Sequence, residues 1–131
     1  MTDASLAGKT HPAKINLADK FALFAEHWRP KTVAALNGQE IKLIKVKGEF
    51  PWHVHEREDE FFLVWRGRFR VEFRDRVVEL AAGECVTVPH GIEHRTAAAE
   101  EAEILCFEPA GVRNTGNVVD EVFTAPAGAT I

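Results

Sequence analysis

Residues Phe50–Gly67 read FPWHVHEREDEFFLVWRG, and this stretch decides the fold. Two histidines stand one residue apart, and a glutamate follows five residues on, at the head of an apolar run. On a β-strand, residues i and i+2 share a face and lie about 6.6 Å apart along the chain. His53 and His55 therefore share one face, with Trp52 and Val54 on the other. Glu60 follows the polar turn Glu56-Arg57-Glu58-Asp59 and opens a strand on which Glu60, Phe62 and Val64 share a face, opposite Phe61, Leu63 and Trp65. A hairpin at that turn brings the carboxylate beside the two imidazoles. A third imidazole, His94, arrives much later, in GECVTVPHGIEHRT (Gly83–Thr96). Any one of these histidines alone reads as an ordinary core or surface residue; the weight lies in the set.

Working outward, the chain speaks mostly in short strands. KTVAAL, then Asn37-Gly38, then QEIKLIKV is a hairpin signal, because Asn-Gly suits the turn that matches strand twist. Further strands are expected at Pro51–His55, Phe61–Trp65, Phe69–Phe73, Val77–Leu80, Cys85–Val88, His94–Thr96, Ile104–Phe107 and Val118–Phe123, punctuated by Gly and Asp turns. One short helix precedes them. Asn16 caps it with Asp19 three residues later, and Leu17, Phe21, Phe24 and Trp28 form an apolar stripe of about three turns that Pro30 closes. Residues 1–12 read as a polar lead-in. Many short strands and one peripheral helix predict an all-β sandwich or barrel.

Bulk composition narrows the function. At 131 residues the chain suits one domain with a real core. A net charge of −4 argues against a nucleic-acid or anionic-membrane partner, since both need a concentrated basic surface. The one basic run, Arg66, Arg68, Arg70, Arg74 and Arg76, is interleaved with Glu72, Asp75 and Glu79 and reads as a solvated strand face. No 18-residue apolar span and no apolar leader stand in the sequence, so a cytoplasmic location is expected. Cys85 and Cys106 form no CxxC pair and read as small buried hydrophobes.

The two histidine-bearing stretches together resemble the signature of the cupin superfamily. The first motif appears as Gly48, His53-Val54-His55, Glu60 and Gly67, with four residues between Gly48 and His53 where five is usual. The second appears as Gly83, Pro89-His90-Gly91 and His94, with Ala98 where the family has Asn. More narrowly, the chain resembles small single-domain bacterial cupins described as similar to mannose-6-phosphate isomerase. The resemblance implies a double-stranded β-helix, or jelly roll, over residues 31–124, preceded by an extension with a short helix (1–30) and followed by a tail (125–131). It implies that His53, His55, Glu60 and His94 bind one divalent metal. Three imidazoles and one carboxylate suit Fe, Mn, Ni, Co, Cu or Zn better than Ca or Mg, and in octahedral geometry they leave two adjacent positions open. Phe50, Phe62, Val64, Val88 and Phe107 are candidates to line the pocket. Trp52, Phe61, Leu63 and Trp65 point away from it and, with homodimers frequent among cupins, suggest a homodimer. His11, His27 and His90 are assigned no ligand role, although His90 stands near the rim.

Three classes of function fit such a chain. The first is a metalloenzyme acting on a small organic molecule, as a dioxygenase or as an isomerase or lyase. No catalytic acid or base is assignable apart from Glu60, because the sequence leaves open which way Lys42, Lys45, Arg70 and Glu72 point. The second is a non-catalytic module that binds a small molecule or sugar in the same pocket. The third, a storage role, sits poorly with a full set of ligand residues.

Overall fold

The computed structural model of the chain describes residues 12–126 and 129–131. The reading of residues 1–11 as a lead-in, His11 included, lies outside the described residues. Asn37 and Gly38 both take positive φ, 50° and 78°, the turn expected of Asn-Gly, and join β1 (Lys31–Leu36) to β2 (Gln39–Glu49). There follow β3 (Glu60–Arg66), β4 (Arg68–Phe73), β5 (Val77–Ala81), β6 (Cys85–Val88), the long β7 (His94–Pro109) and a two-residue β8 (Ala129–Thr130). The strands run in the order β5-β4-β7-β2-β1-β8, and β3 pairs with both β6 and β7. All pairings are antiparallel except β1 with β8. The result is an all-β jelly roll with one short helix, as expected. Among the described residues no helix is long and apolar enough to cross a membrane.

The organising element is β7. It pairs with β2, β3 and β4, so one strand carries the hydrogen bonding of three neighbours. The sequence suggests two strands here, His94–Thr96 and Ile104–Phe107; the structure has one, irregular in the middle. Val46 of β2 pairs with Ala102 and Gly48 with Ala98, so four residues of β7 span two of β2. An even insertion preserves the alternation of faces. His94, Thr96, Ala98, Ala102, Ile104, Cys106 and Glu108 are accordingly all buried.

Two apolar layers result. The inner one contains Val46, Phe50, Phe62, Val64, Phe69, Val71, Val88 and Ile104, with Trp28. The outer one gathers Leu43 and Leu105 under Phe21 and Phe24, with Leu63 and Phe107 packed at its edge. The helix α1 exists to cover this second layer. It spans only Leu17–Phe21, capped by Asn16 Oδ1, which accepts from the Asp19 backbone N–H at 2.9 Å. The predicted three-turn stripe is thus corrected. Phe24 and Trp28 are buried, but non-helical backbone carries them there. The Trp28 amide donates to the Lys45 carbonyl at 2.8 Å, its indole N–H donates to the Lys47 carbonyl at 2.9 Å, and its φ is 60°. These tertiary hydrogen bonds outweigh the modest propensity of so short a helix.

Three further expectations change. Pro51–His55 is not a strand; it makes a single bridge, His53 with His94. Val118–Phe123 is turn structure, held by the Asp120 carboxylate, which accepts from the Val122 and Phe123 amides at 2.8 and 2.9 Å. Cys106 is buried as expected, but Cys85 is exposed, because it shares the solvent face of β6 with Thr87. Three members of the arginine run pair with carboxylates: Arg66 with Glu103, Arg70 with Glu72 and Arg74 with Glu93.

Candidate metal centre

The bridge at His53 is what assembles the site. The His53 amide donates to the His94 carbonyl at 2.9 Å, and the His94 amide donates back at 3.0 Å. Two positions 41 residues apart in sequence are thereby locked side by side, their ring centroids 4.5 Å apart. His55, on the same face as His53, places its ring 4.9 Å from that of His53 and 6.0 Å from that of His94. Glu60 opens β3 facing inward with Phe62 and Val64, and its Oε1 lies 3.1 Å from His55 Nε2 and 3.2 Å from His94 Nε2. All four side chains are buried, with one candidate ligand atom of each within 4.8 Å of the others. The four residues singled out by spacing therefore meet in space.

Hydrogen positions follow from the backbone. His53 Nδ1 stands 2.8 Å from the Pro51 carbonyl, and His94 Nδ1 stands 2.9 Å from the Ile92 carbonyl. A carbonyl only accepts, so both Nδ1 atoms carry a proton, which in a neutral ring leaves the lone pair on Nε2. A carbonyl or carboxylate behind a ligating imidazole is the usual support of a metal-binding histidine. His55 Nε2 is buried and, although near Glu60, has no aligned hydrogen-bond partner. Three imidazole nitrogens and a carboxylate oxygen converging in a buried space are all electron-pair donors. A proton on His94 Nε2 can bridge to Glu60 Oε1 at 3.2 Å, but only a divalent cation satisfies all four at once, and the donor set fits one.

Charge states agree with that fit. Burial, reinforced by the positive charge that His94 would carry, pushes the His53 imidazolium down to about 4, which keeps the ring neutral and able to ligate. Burial opposes ionisation of Glu60, but the adjacent His55 and His94 outweigh it and hold its carboxyl well below the usual range. Cys106 lies 4.0 Å from Glu60 through its Sγ; burial and then the neighbouring carboxylates of Glu108 and Glu60 push its thiol up, so it stays protonated and ligates poorly.

The ring opens on a cavity of about 430 Å³, mouth included, lined by Trp28, Pro30, Ile44, Phe50, His53, Glu60, Phe62, Thr96, Ile104, Cys106, Glu108 and Asn114. Much of that volume is open solvent at the mouth; only about 40 Å³ can hold the centre of a water molecule, room for a few waters. Phe50 and Phe62 line it as expected. Val64 and Val88 belong to the packed core instead, and Phe107 faces the outer layer, its ring 5.2 Å from Phe61. His27 pairs with Glu101, and His90 with Asp59, at the protein surface.

Sequence reading missed Glu108. Its Oε1 accepts from Lys42 Nζ at 2.8 Å in a buried ion pair, while its Oε2 is buried with no hydrogen-bond partner. Burial and then the charge of Glu60 raise this carboxyl to about 8, with Lys42 opposing. Parity along β7 was the available signal: counting in twos from His94 reaches Glu108. Lys42, whose direction was open, points inward beside Ile44 and Val46. Thr96, Asn114 and Trp28 were likewise not anticipated as cavity walls.

Comparison with known proteins adds the family. The sequence model described as the cupin domain matches residues 41–108, just over half of the 131 residues. An uncharacterised protein of Bacillus subtilis, YdbB, is 31% identical over 78 residues, covering 59% of this chain and 69% of that protein. The crystal structure of a cupin-2 domain containing protein from Shewanella frigidimarina superposes with a TM-score of 0.72 at 46% identity, covering 72% of this chain and 93% of that one. Protein NMB1881 of Neisseria meningitidis superposes at 0.69 with 26% identity over 75% of this chain and all of the other.

Proposed function

The chain belongs to the cupin domain family, and on that premise we propose that it binds one divalent transition metal through His53, His55, Glu60 and His94 and acts on a small organic molecule. The observation that carries this reading is the convergence of four buried donors within 4.8 Å of one another, two of them with the non-ligating nitrogen already bonded to a backbone carbonyl. Neutral imidazoles leave a bound divalent ion with only one formal negative charge from Glu60, so the site keeps a net positive charge. Such an ion supplies Lewis-acid chemistry, or redox chemistry if it is iron, which is the basis of the dioxygenase, isomerase or lyase reading. The residues of the chain do the rest. Phe50, Phe62, Ile44 and Ile104 form an apolar wall that excludes water from whatever occupies the cavity. His53 and His94, tethered to each other's backbone and to Pro51 and Ile92, hold their nitrogens without reorganising.

The test is elemental analysis of protein made in its native host, alongside His94→Ala. One equivalent per chain in the parent and a clear loss in the variant are expected; equal stoichiometry in both would remove His94 from the site. Oxygen consumption by the metal-loaded protein separates the oxygenase reading from a binding module. We also read the face of Phe61 and Phe107 as a homodimer surface, on the support of half-exposed Leu36 beside them; a monomer in sedimentation would end that reading.

A further inference from the structure

Glu108 is the buried polar group that the metal centre leaves unexplained. Its side chain is 3% exposed; Lys42 engages one oxygen, and among the described residues the other finds no N–H or O–H donor, with the Glu60 carboxyl close by. A buried carboxyl oxygen without a donor is costly and calls for an explanation, of which a catalytic role or a bound group is one. Glu108 lines the cavity that the metal centre faces, and one oxygen of Glu108 lies within 4.8 Å of ligand-capable atoms of Glu60 and Cys106.

The surroundings define what fits. Among the described residues no lysine or arginine lines this cavity; Lys42 sits behind Glu108 with its Nζ held at 2.8 Å. At this wall a carboxylate or phosphate group meets Glu108, whose own cation is already engaged; the positive charge of a loaded metal centre belongs to the metal's open positions and not to this wall. Most of the remaining lining is aromatic or aliphatic. A hydroxyl answers both demands, since it donates to an ionised carboxylate, accepts from a protonated one, and carries no charge.

We propose that Glu108 Oε2 is a ligand-binding group, and that the cavity takes a small neutral molecule whose hydroxyl bonds to Glu108 while its apolar frame lies against Phe50, Phe62 and Ile104. Lys42 is then a positioning residue: by fixing Oε1 it aims Oε2 into the cavity. This rests on the metal-centre reading, because the frame so placed lies beside the four-residue ring, and it goes further by naming the class of molecule and the residue that selects it.

The experiment compares 4-fluorophenol with fluorobenzene, two probes that differ by one hydroxyl, in fluorine NMR titrations of zinc-loaded protein, with zinc per chain measured in every sample. The parent should bind the phenol about fivefold more tightly, the effect of one ordinary hydrogen bond. Lys42→Met/Glu108→Leu replaces the buried pair with apolar groups, a change that folded proteins tolerate well, and should abolish that preference with zinc content unchanged. Glu108→Gln, which keeps a polar oxygen in place, should retain most of it. Equal or undetectable binding of both probes to the parent overturns the proposal. So does a preference that survives in the double variant, since the hydroxyl would then be read by the metal. A second equivalent of zinc that disappears on Glu108→Gln also overturns it, because a cation would then be what completes Oε2. Absence of zinc from the parent refutes the metal-centre reading instead, and is told apart by the stoichiometry.

Discussion

Gly116→Ala tests how the segment after β7 is locked onto the histidine pair. Gly116 has φ of 56°, and a Cβ built there would meet the Val54 carbonyl oxygen at 2.3 Å, its carbon at 2.9 Å and His53 Cδ2 at 3.1 Å. The first two are backbone atoms and do not yield cheaply. The same contact is stitched by the Asn117 amide donating to the Val54 carbonyl at 3.0 Å and the Val54 amide donating to Asn117 Oδ1 at 2.8 Å. Left-handed backbone costs a non-glycine residue about 1–2 kcal/mol. Relieving so close an approach requires the two chain segments to part far enough to weaken both hydrogen bonds, at about 1 kcal/mol each. The sum is about 3–4 kcal/mol, a large share of a stability of about 5–15 kcal/mol. Gly111→Ala supplies the control: its φ is 82° and nothing lies within 4 Å of its Cβ position, so only the conformational part applies. Urea unfolding of the two variants isolates the contact, and a metal titration follows the displaced His53 ring. Gly116→Ala should be more destabilised than Gly111→Ala by about 2 kcal/mol and should bind metal more weakly, whereas equal stability and equal affinity would refute the reasoning.

Two other outcomes are expected. In metal-free protein the depressed His53, at about 4 in the fold against 6.5 when exposed, means that the unfolded chain takes up a proton first as pH falls. The His53 contribution should therefore be full above about pH 6.5 and fall by about 3 kcal/mol between there and pH 4, opposed in the parent by Glu108, whose raised carboxyl takes up its proton in the fold first. In Lys42→Met/Glu108→Leu the His53 loss should stand alone, and urea midpoints that stay level there would contradict the buried neutral ring. Chelation should lower the melting temperature yet leave a cooperatively folded chain, because the inner layer of Val46, Phe62, Val64, Val71 and Ile104 is packed without any contribution from the metal. Loss of the far-ultraviolet β signal on chelation at room temperature would show otherwise.

The parts of this molecule that were legible beforehand are those governed by local rules. Asn37-Gly38 specifies its own turn, and the alternation in Glu60–Val64 specifies which side chains face inward, so β1–β3 and the placement of Glu60 could be read residue by residue. The four candidate ligands came from the resemblance to the two cupin motifs and not from strand alternation, since His53 and His55 lie in a segment that makes a single bridge. What escaped was set by pairing at long range. The insertion in β7 is visible only against β2, and without it Ile104–Phe107 seems an independent strand of unknown phase; Phe107 was consequently assigned to the pocket and Glu108 overlooked. The helix ended early because Trp28 finds hydrogen bonds to Lys45 and Lys47 that no helical period announces. The β8 pairing with β1 rests on two residues and carries no sequence signal of its own.

The central claim is most directly measured by anomalous diffraction from crystals of the protein, collected on both sides of the absorption edge of the metal found by elemental analysis. One peak per chain is predicted, about 2.0–2.2 Å from nitrogens of His53, His55 and His94 and from a carboxylate oxygen of Glu60. A crystal with no peak there, or with a peak that His94 or Glu60 does not reach, would contradict it.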